Sequence, residues 1–337
     1  MGKKWDNTGN FYEWNKKRAE KLYKVIKSGG YVAIFGHPKT NHRMKCAFED
    51  VGFKIVEEID WIYLTGMPKN QDIGKLFDKN AGIKRPLSLV QRPIGGKNGV
   101  YQGQGGNWGE TDNNPLTDLA KKWNGWKTAG IKPAHEPITI FQKPLDGTYI
   151  QNIKKHNCGA MNIDACRVPI TKEDIEMLNA KASKNTTTNY SDREDRVYGK
   201  YAEDKAMPAN ELGRFPSNVI YDEYVAQLND IGESGKIFPV IKYSQKVSPI
   251  ERKLPNGERN PHVTLKPVEL IKWLIKLLTP IDGATIDITS GSCTHAVACE
   301  ELNKNDGYNL KYVNIELMNT DEEPYCNVGE MRVKAIS

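Results

Sequence analysis

Between Asp287 and Thr294 the chain reads Asp-Ile-Thr-Ser-Gly-Ser-Cys-Thr, small and hydroxyl-bearing residues led by one carboxylate. Set between a strand and a helix, such a turn exposes backbone N–H groups at the positive end of the helix, where a nucleotide-like ligand can be met. An ordinary βα turn has the same parts, so the segment beyond the helix decides between them. Lys311-Tyr312-Val313-Asn314-Ile315-Glu316 reads as a second strand ending in an acid, placed to accept from ribose hydroxyls.

The elements that must hold this turn are legible around it. After an extended lead-in from Asn260, Val268 to Leu278 carries apolar residues at helical spacing, with Lys272 and Lys276 on another face. Pro280 and Gly283 stop that helix, Ala284 to Ile288 reads as a buried strand, and a second helix starts near His295. At the other end, Phe11 to Ile26 predicts an amphipathic helix with Trp14, Leu22 and Ile26 on its apolar face. Gly29 and Gly30 end it. Tyr31 to Gly36 is continuously apolar, as expected of a strand buried on both faces. A helix over Asn41 to Val51 and a strand over Phe53 to Leu64 follow, and this alternation argues for a parallel sheet covered by helices.

From Gly82 to about Gly130 the pattern dissolves into glycines, asparagines and tryptophans (Trp108, Trp123, Trp126), which suggests an irregular insertion. Lys and Arg interleave with aromatics there, weakly pointing to a polyanionic partner. A strand returns at Ile138 to Gln142, and His135 and Glu136 just before it read first as a solvated strand entry. Residues 151–248 are polar and loop-rich, disorder-like around 182–191, with two islands near Cys158 and Gly213.

Net charge is +6 over 337 residues with 38% hydrophobic content and a mean hydropathy of -0.62, so a soluble, rather polar protein is expected. No apolar run approaches the ~18 residues of a membrane span. The first residues lack the apolar core of a signal peptide. Six cysteines form no CxxC pair, which favours a reduced, cytosolic setting. Cys158 and Cys166 have no second ligand pair nearby, so no metal is expected.

Eight segments in order then resemble the phage and bacterial DNA amino-methyltransferases of the permuted β-class type. They are GKKWD at Gly2, SGGYVAIFG at Ser28, NHRMKCAFEDVGF at Asn41, IDWIYLTGMPK at Ile59, KPAHEPITIFQKPL, NIDACRVPI, GRFPSN and NPHVTLKPVELIKWLIKLLTP. The resemblance covers nearly the whole chain. It implies an α/β, Rossmann-like AdoMet-dependent methyltransferase fold, with a mixed seven-stranded-type sheet, helices on both faces and inserted target-recognition segments. Residues 1–81 would be the base-handling half and 82–130 an insertion able to contact DNA. Residues 131–150 would be a core strand, 151–250 the target-recognition segment, and 251–337 the AdoMet-binding half.

By the family's pattern His262, Thr264, Lys266, Asp287, Ser290, Gly291, Cys293 and Glu316 would line an S-adenosylmethionine pocket, and Trp61 and Tyr63 would lie near the base-handling edge. The implied reaction methylates adenine N6 or cytosine N4 of a base flipped from double-stranded DNA. The implied setting is a bacterial or phage-infected cytoplasm, with a homodimer or a partner methyltransferase chain as further possibilities.

The chain departs from the family in two places. The family's Asp/Asn/Ser-Pro-Pro-Tyr/Phe tetrapeptide, which holds the target amine, has no counterpart. Asn114-Pro115-Leu116, Asn260-Pro261-His262 and Glu323-Pro324-Tyr325 each match only in part. Relatives carry it shortly before the segment resembling GKKWD, so the expectation is an acceptor upstream of Gly2 or on a partner chain. The turn also has Ile288, Thr289 and Cys293 where the family has proline, phenylalanine and glycine, and a Cβ at position 293 is expected to crowd the backbone unless φ is negative. An inactive methyltransferase-like DNA-binding protein, or another nucleotide-using enzyme on the same scaffold, is the alternative.

Overall fold

In the computed structural model of the chain, residues 9–63, 66, 68, 70–91, 107–111, 114–185, 209–222, 239–241, 251–262, 264–322 and 324–336 are described. In chain order they form α1 (Phe11–Val25), β1 (Tyr31–Phe35), α2 (Asn41–Glu49), β2 (Lys54–Ile62), α3 (Ile73–Asn80), β3 (Leu87–Gln91) and β4 (Asn107–Thr111). Next come α4 (Asp118–Lys122), β5 (His135–Gln142), α5 (Tyr149–His156), α6 (Lys172–Asn185), β6 (Val219–Asp222) and β7 (Val240–Ile241). The C-terminal part contributes α7 (Val268–Leu278), β8 (Ala284–Asp287), α8 (Thr294–Asn305), β9 (Lys311–Asn314) and α9 (Tyr325–Lys334). The disorder-like stretch around 182–191 falls largely outside the described residues.

The chain divides into two compact units, one made of Met1–Thr65 with Ala134–Ser337 and the other of Gly66–Pro133. In the larger unit a five-stranded sheet runs in the order β1-β5-β2-β6-β7, and β8 and β9 form a separate parallel pair. β5 is antiparallel to both β1 and β2, whereas β2–β6 and β6–β7 are parallel. The parallel sheet read from the N-terminal alternation is therefore corrected to a mixed one. The expected double burial of β1 holds only in part: its residues are half-buried with Ala33 exposed, and among the described residues β5 is the one strand that pairs with it. Its apolar residues still pack on both faces, Tyr31 and Phe35 against the Trp61 cluster and Val32 and Ile34 against the Phe48 cluster.

The central strand is β5, where Pro137 to Gln142 are all buried. Its pleat sends successive side chains to opposite faces. Ile138 and Ile140 join Ile59, Trp61 and Ile220 against Leu270, Leu274 and Leu277 of α7. Phe141 faces the other way, stacked on Phe48 of α2 at 4.6 Å and clustered with Ala19 and Leu22 of α1. Helices thus cover both faces. Val268 and Ile275 of α7 turn to a third cluster with Val297, Cys299 and Leu302 of α8. One helix therefore seats both sheets.

Local chemistry sets the ends. Asn10 caps α1 by accepting from the backbone of Tyr12 and Glu13, and Gly29 leaves it at φ 77°, where a Cβ would strike Asn152. Thr148 and Gln151 close a reciprocal capping box on α5. The smaller unit holds α3, α4 and the antiparallel β3–β4 pair. Its buried Asp78 accepts from Arg85 and from the backbone and hydroxyl of Thr117, which keep its carboxyl well below the usual range against the cost of burial.

Candidate functional site

The residues with chemistry gather where β8 and β9 end. Asp287 closes β8, and its carboxylate accepts from Thr289 N at 2.9 Å, which bends the chain out of the strand. Its carbonyl accepts from Ile315 N and from the Ser290 hydroxyl. Ser290 N returns a bond to Ile315 O, and the Ser290 hydroxyl also reaches Asn314 Oδ1 at 3.1 Å. The turn is thereby laced to the end of β9.

Glu316, two residues beyond β9, accepts from Gly291 N at 2.6 Å with one oxygen and from Met318 N at 2.9 Å with the other. A carboxylate offers about four lone-pair sites. Two are filled by backbone, leaving two for hydroxyl donors. Gly291 sits at φ 52° with the His262 ring lying against its Cα, so that a Cβ there would collide with the imidazole. Only glycine satisfies both conditions.

Cys293 takes φ 58°, the crowded conformation that the sequence raised as the alternative to a negative φ. The cost of the left-handed region is of order 1 kcal/mol. Room for its sulfur comes from Gly329 of α9, since a Cβ at that position would overlap the thiol. Burial raises the Cys293 thiol to about 11, so the sulfur stays neutral and packs.

The lead-in is held from below by groups that periodicity does not reveal. Asn260 is buried, donating to the Ser292 hydroxyl at 2.9 Å and accepting from His262 N at 3.0 Å. Arg332 on α9 is buried and donates to the Ser292 carbonyl at 2.6 Å and to the Thr294 hydroxyl at 3.2 Å. Arg252 donates to the His262 carbonyl. His262 meets Tyr325 edge-on at 4.7 Å, and its Nδ1 is buried without a hydrogen-bond partner among the described residues. Burial lowers the His262 pKa, opposed by Glu316, so the imidazole is neutral.

Lys266 leaves this cluster. Its ammonium pairs with Glu136 of β5 and lies 4.7 Å above the Phe35 ring and 5.7 Å above Trp61. The solvated-entry reading suits His135, which is exposed, but not Glu136, which is tied to Lys266. Trp61 and Tyr63 are almost wholly buried beneath that pair. Burial first, and Glu136 next, push the Tyr63 phenol up to about 12. Of the sequence-chosen residues, Asp287, Ser290, Gly291, Cys293, Glu316 and His262 come together. Lys266 stands with Trp61 and Tyr63, and Thr264 is half-buried in the turn between His262 and Lys266.

Asn260, Ser292, Arg332, Arg252, Asn314 and Gly329 were not singled out. Ser292, inside the turn, Asn314, in the strand that leads to Glu316, and Asn260, at the head of the lead-in, stood near enough in sequence to be found. The partial matches to the tetrapeptide are spent elsewhere. Asn260 is the buried strut, Asn114 lies in the smaller unit, and Tyr325 opens α9 against His262. Glu323 lies outside the described residues. Among the described residues no group of three metal-ligating side chains occurs, and no helix is long and apolar enough to cross a membrane. All six cysteines are free thiols.

A parallel strand pair, a glycine turn opening a helix and a carboxylate beside it are the parts from which nucleotide sites of α/β proteins are built. The sequence match is more specific: a model of the N6/N4-type DNA methylase family matches residues 2–323, and the chain belongs to that family. The type II methyltransferase M.HindIII of Haemophilus influenzae is 22% identical over 296 residues, 87% of this chain. The chain spans 63% of that relative's length. The M1.HpyAVI–SAM complex aligns over 97% of this chain and 84% of its own, with a TM-score of 0.42 and 12% identity. The cytosine-N4-specific PvuII DNA methyltransferase aligns over 99% and 81%, with a TM-score of 0.40 and 13% identity.

Proposed function

We propose that the chain works as an S-adenosylmethionine-dependent DNA methyltransferase acting on an exocyclic amine, adenine N6 or cytosine N4, of a base turned out of the duplex. The observation that carries the reading is the Gly291–Glu316 arrangement at the ends of β8 and β9, found in a chain of the DNA methylase family. Glu316 keeps acceptor capacity for ribose hydroxyls, and the neutral His262 offers an unused buried nitrogen beside Gly291. These residues fit the cofactor, which when bound supplies a methyl group on a sulfonium. Residues 151–250 are the target-recognition segment in this reading, with a homodimer or partner chain able to contribute.

The amine acceptor is not among the residues at this turn. No Pro-Pro pair occurs anywhere in the sequence. Yet β1 pairs only with β5 and β8 only with β9 among the described residues. Ile288, just past β8, packs on the same apolar cluster as Val32 and Ile34 of β1. A strand seated between β1 and β8 would unite the two sheets and end beside the turn. We place the acceptor tetrapeptide on such a strand, supplied from upstream of Gly2 or by a partner chain. A second reading, a methyltransferase-like DNA-binding protein without chemistry, is favoured by Cys293 at φ 58° in a turn where the family has glycine.

Incubation with radiolabelled S-adenosylmethionine and unmethylated DNA separates the two, comparing the chain alone with a version extended upstream. Label transfer by the extended version supports the first reading. Cofactor binding by calorimetry counts against the second in its strict form. A chain that binds DNA but neither cofactor nor label in any version overturns the first.

A further inference from the structure

The charge of this protein is segregated. Gly66–Pro133 holds 11 Lys and Arg against 5 Asp and Glu, a net of +6. The remainder of the chain holds 37 of each. The whole surplus of 48 basic over 42 acidic residues therefore lies in the smaller unit, and the unit bearing the β8–β9 site is neutral overall.

Many of these charges are free to act outward. Lys79 on α3, Lys84 just after it, Lys122 on α4, and Lys132 are exposed and have no acidic partner among the described residues. Of the acids whose side chains are described, Asp118 is exposed beside Lys121 and the other two are committed inside the unit. Asp78 is buried with Arg85 and Thr117, and Asp72 accepts from Lys127 and caps α3 at Lys75 N. Trp126, whose carbonyl accepts from Ile73 N at the start of α3, leaves its indole 61% exposed beside Trp123. Uncommitted lysines and an open aromatic within one compact unit are groups that a charged backbone with planar bases complements.

We infer that the Gly66–Pro133 unit is the DNA-backbone clamp of this protein, holding duplex phosphates with Lys79, Lys84, Lys122 and Lys132. This deepens the methyltransferase reading and rests on it for the identity of the polyanion. Phosphate contacts fix register without reading sequence, so the clamp supplies affinity common to all duplexes. Base choice is left to other segments.

The test is fluorescence anisotropy of the full chain with short labelled duplexes of two unrelated sequences, titrated between about 50 and 200 mM salt. Each phosphate contact removed lowers the log–log salt slope by about 0.9. The combined substitution Lys79→Gln, Lys84→Gln, Lys122→Gln and Lys132→Gln is expected to flatten the slope by up to about 3.6 for both duplexes. Arginine at the same four positions is expected to retain it, and unchanged tryptophan emission shows that the unit stays folded.

An unchanged slope in a glutamine variant that still binds DNA overturns the clamp and leaves the methyltransferase reading standing. Failure of the unaltered chain to bind any duplex sinks both. Equal binding of the unaltered chain to phosphatidylserine vesicles or to polyglutamate, lost in the glutamine variant, overturns DNA as the partner.

Discussion

The β5-centred sheet and the β8–β9 turn are positioned by different forces. Around β5, Ile138, Ile140 and Phe141 are held by close-packed neighbours on two faces, and dispersion and burial do the positioning. Around Gly291, hydrogen bonds donated by Arg332 and Asn260 and one accepted by Glu316 hold a short turn of irregular backbone. Packing forgives a change of shape at similar volume. A hydrogen-bonded turn forgives a change of size at similar chemistry, and little else.

Substitutions should expose that difference. The largest effect is expected for Phe141→Ala, which empties the centre of the stack on Phe48 and should cost about 3–5 kcal/mol in denaturant unfolding. Leu270→Met, in the same half, should cost under about 1.5 kcal/mol. Arg332→Lys, by contrast, keeps the charge but loses the planar guanidinium whose Nη1 alone donates to the Ser292 carbonyl and the Thr294 hydroxyl. It should cost about 2 kcal/mol or more, since a buried carbonyl loses its donor. Equal tolerance of the methionine and lysine replacements would erase the distinction.

Next in size is a coupled pair. Gly329→Ala should cost about 1–3 kcal/mol through overlap with the Cys293 thiol. In a Cys293→Gly background the same change should cost nearly nothing, because helix propensity favours alanine by about 1 kcal/mol. A double-mutant cycle measures the coupling, and an additive result would remove Gly329 as the compensation for a cysteine at φ 58°.

Gly291→Ala should lower S-adenosylmethionine affinity at least tenfold by driving His262 off the turn. Calorimetry on a variant shown to be folded checks it.

The smallest effect is one of pH. The folded pKa of His262 is lowered below its unfolded value by burial. As pH falls past about 6.5 the unfolded chain takes up a proton that the folded chain resists, so stability is lost toward acid and is intact above that pH. His262→Asn should flatten that part of the stability–pH curve. A slope unchanged by the substitution would assign it to other groups.

The same contrast explains what the sequence disclosed. Helical spacing marked α1 and α7, and the apolar run marked β5, because burial is periodic in regular structure. The glycine turn and Glu316 were readable because residue type and distance along the chain constrain a βα turn. Arg332 and Gly329 were not, since they act across 36 to 40 residues through contacts that leave no period. β1 was legible in that both of its faces pack, but not in depth: an apolar run does not say how fully its neighbours cover it, and Ala33 is left exposed. α5 was missed although Thr148 and Gln151 carry its capping signal, because its helix is short and its surroundings polar.

α7 has a mechanical consequence. With Leu270 and Leu274 on one sheet and Val268 and Ile275 on the cluster above the other, it acts as a shared beam. Neither sheet can shed it without exposing apolar surface of its own. The two should therefore melt as one cooperative block, with the α7 amides among the last to exchange with solvent.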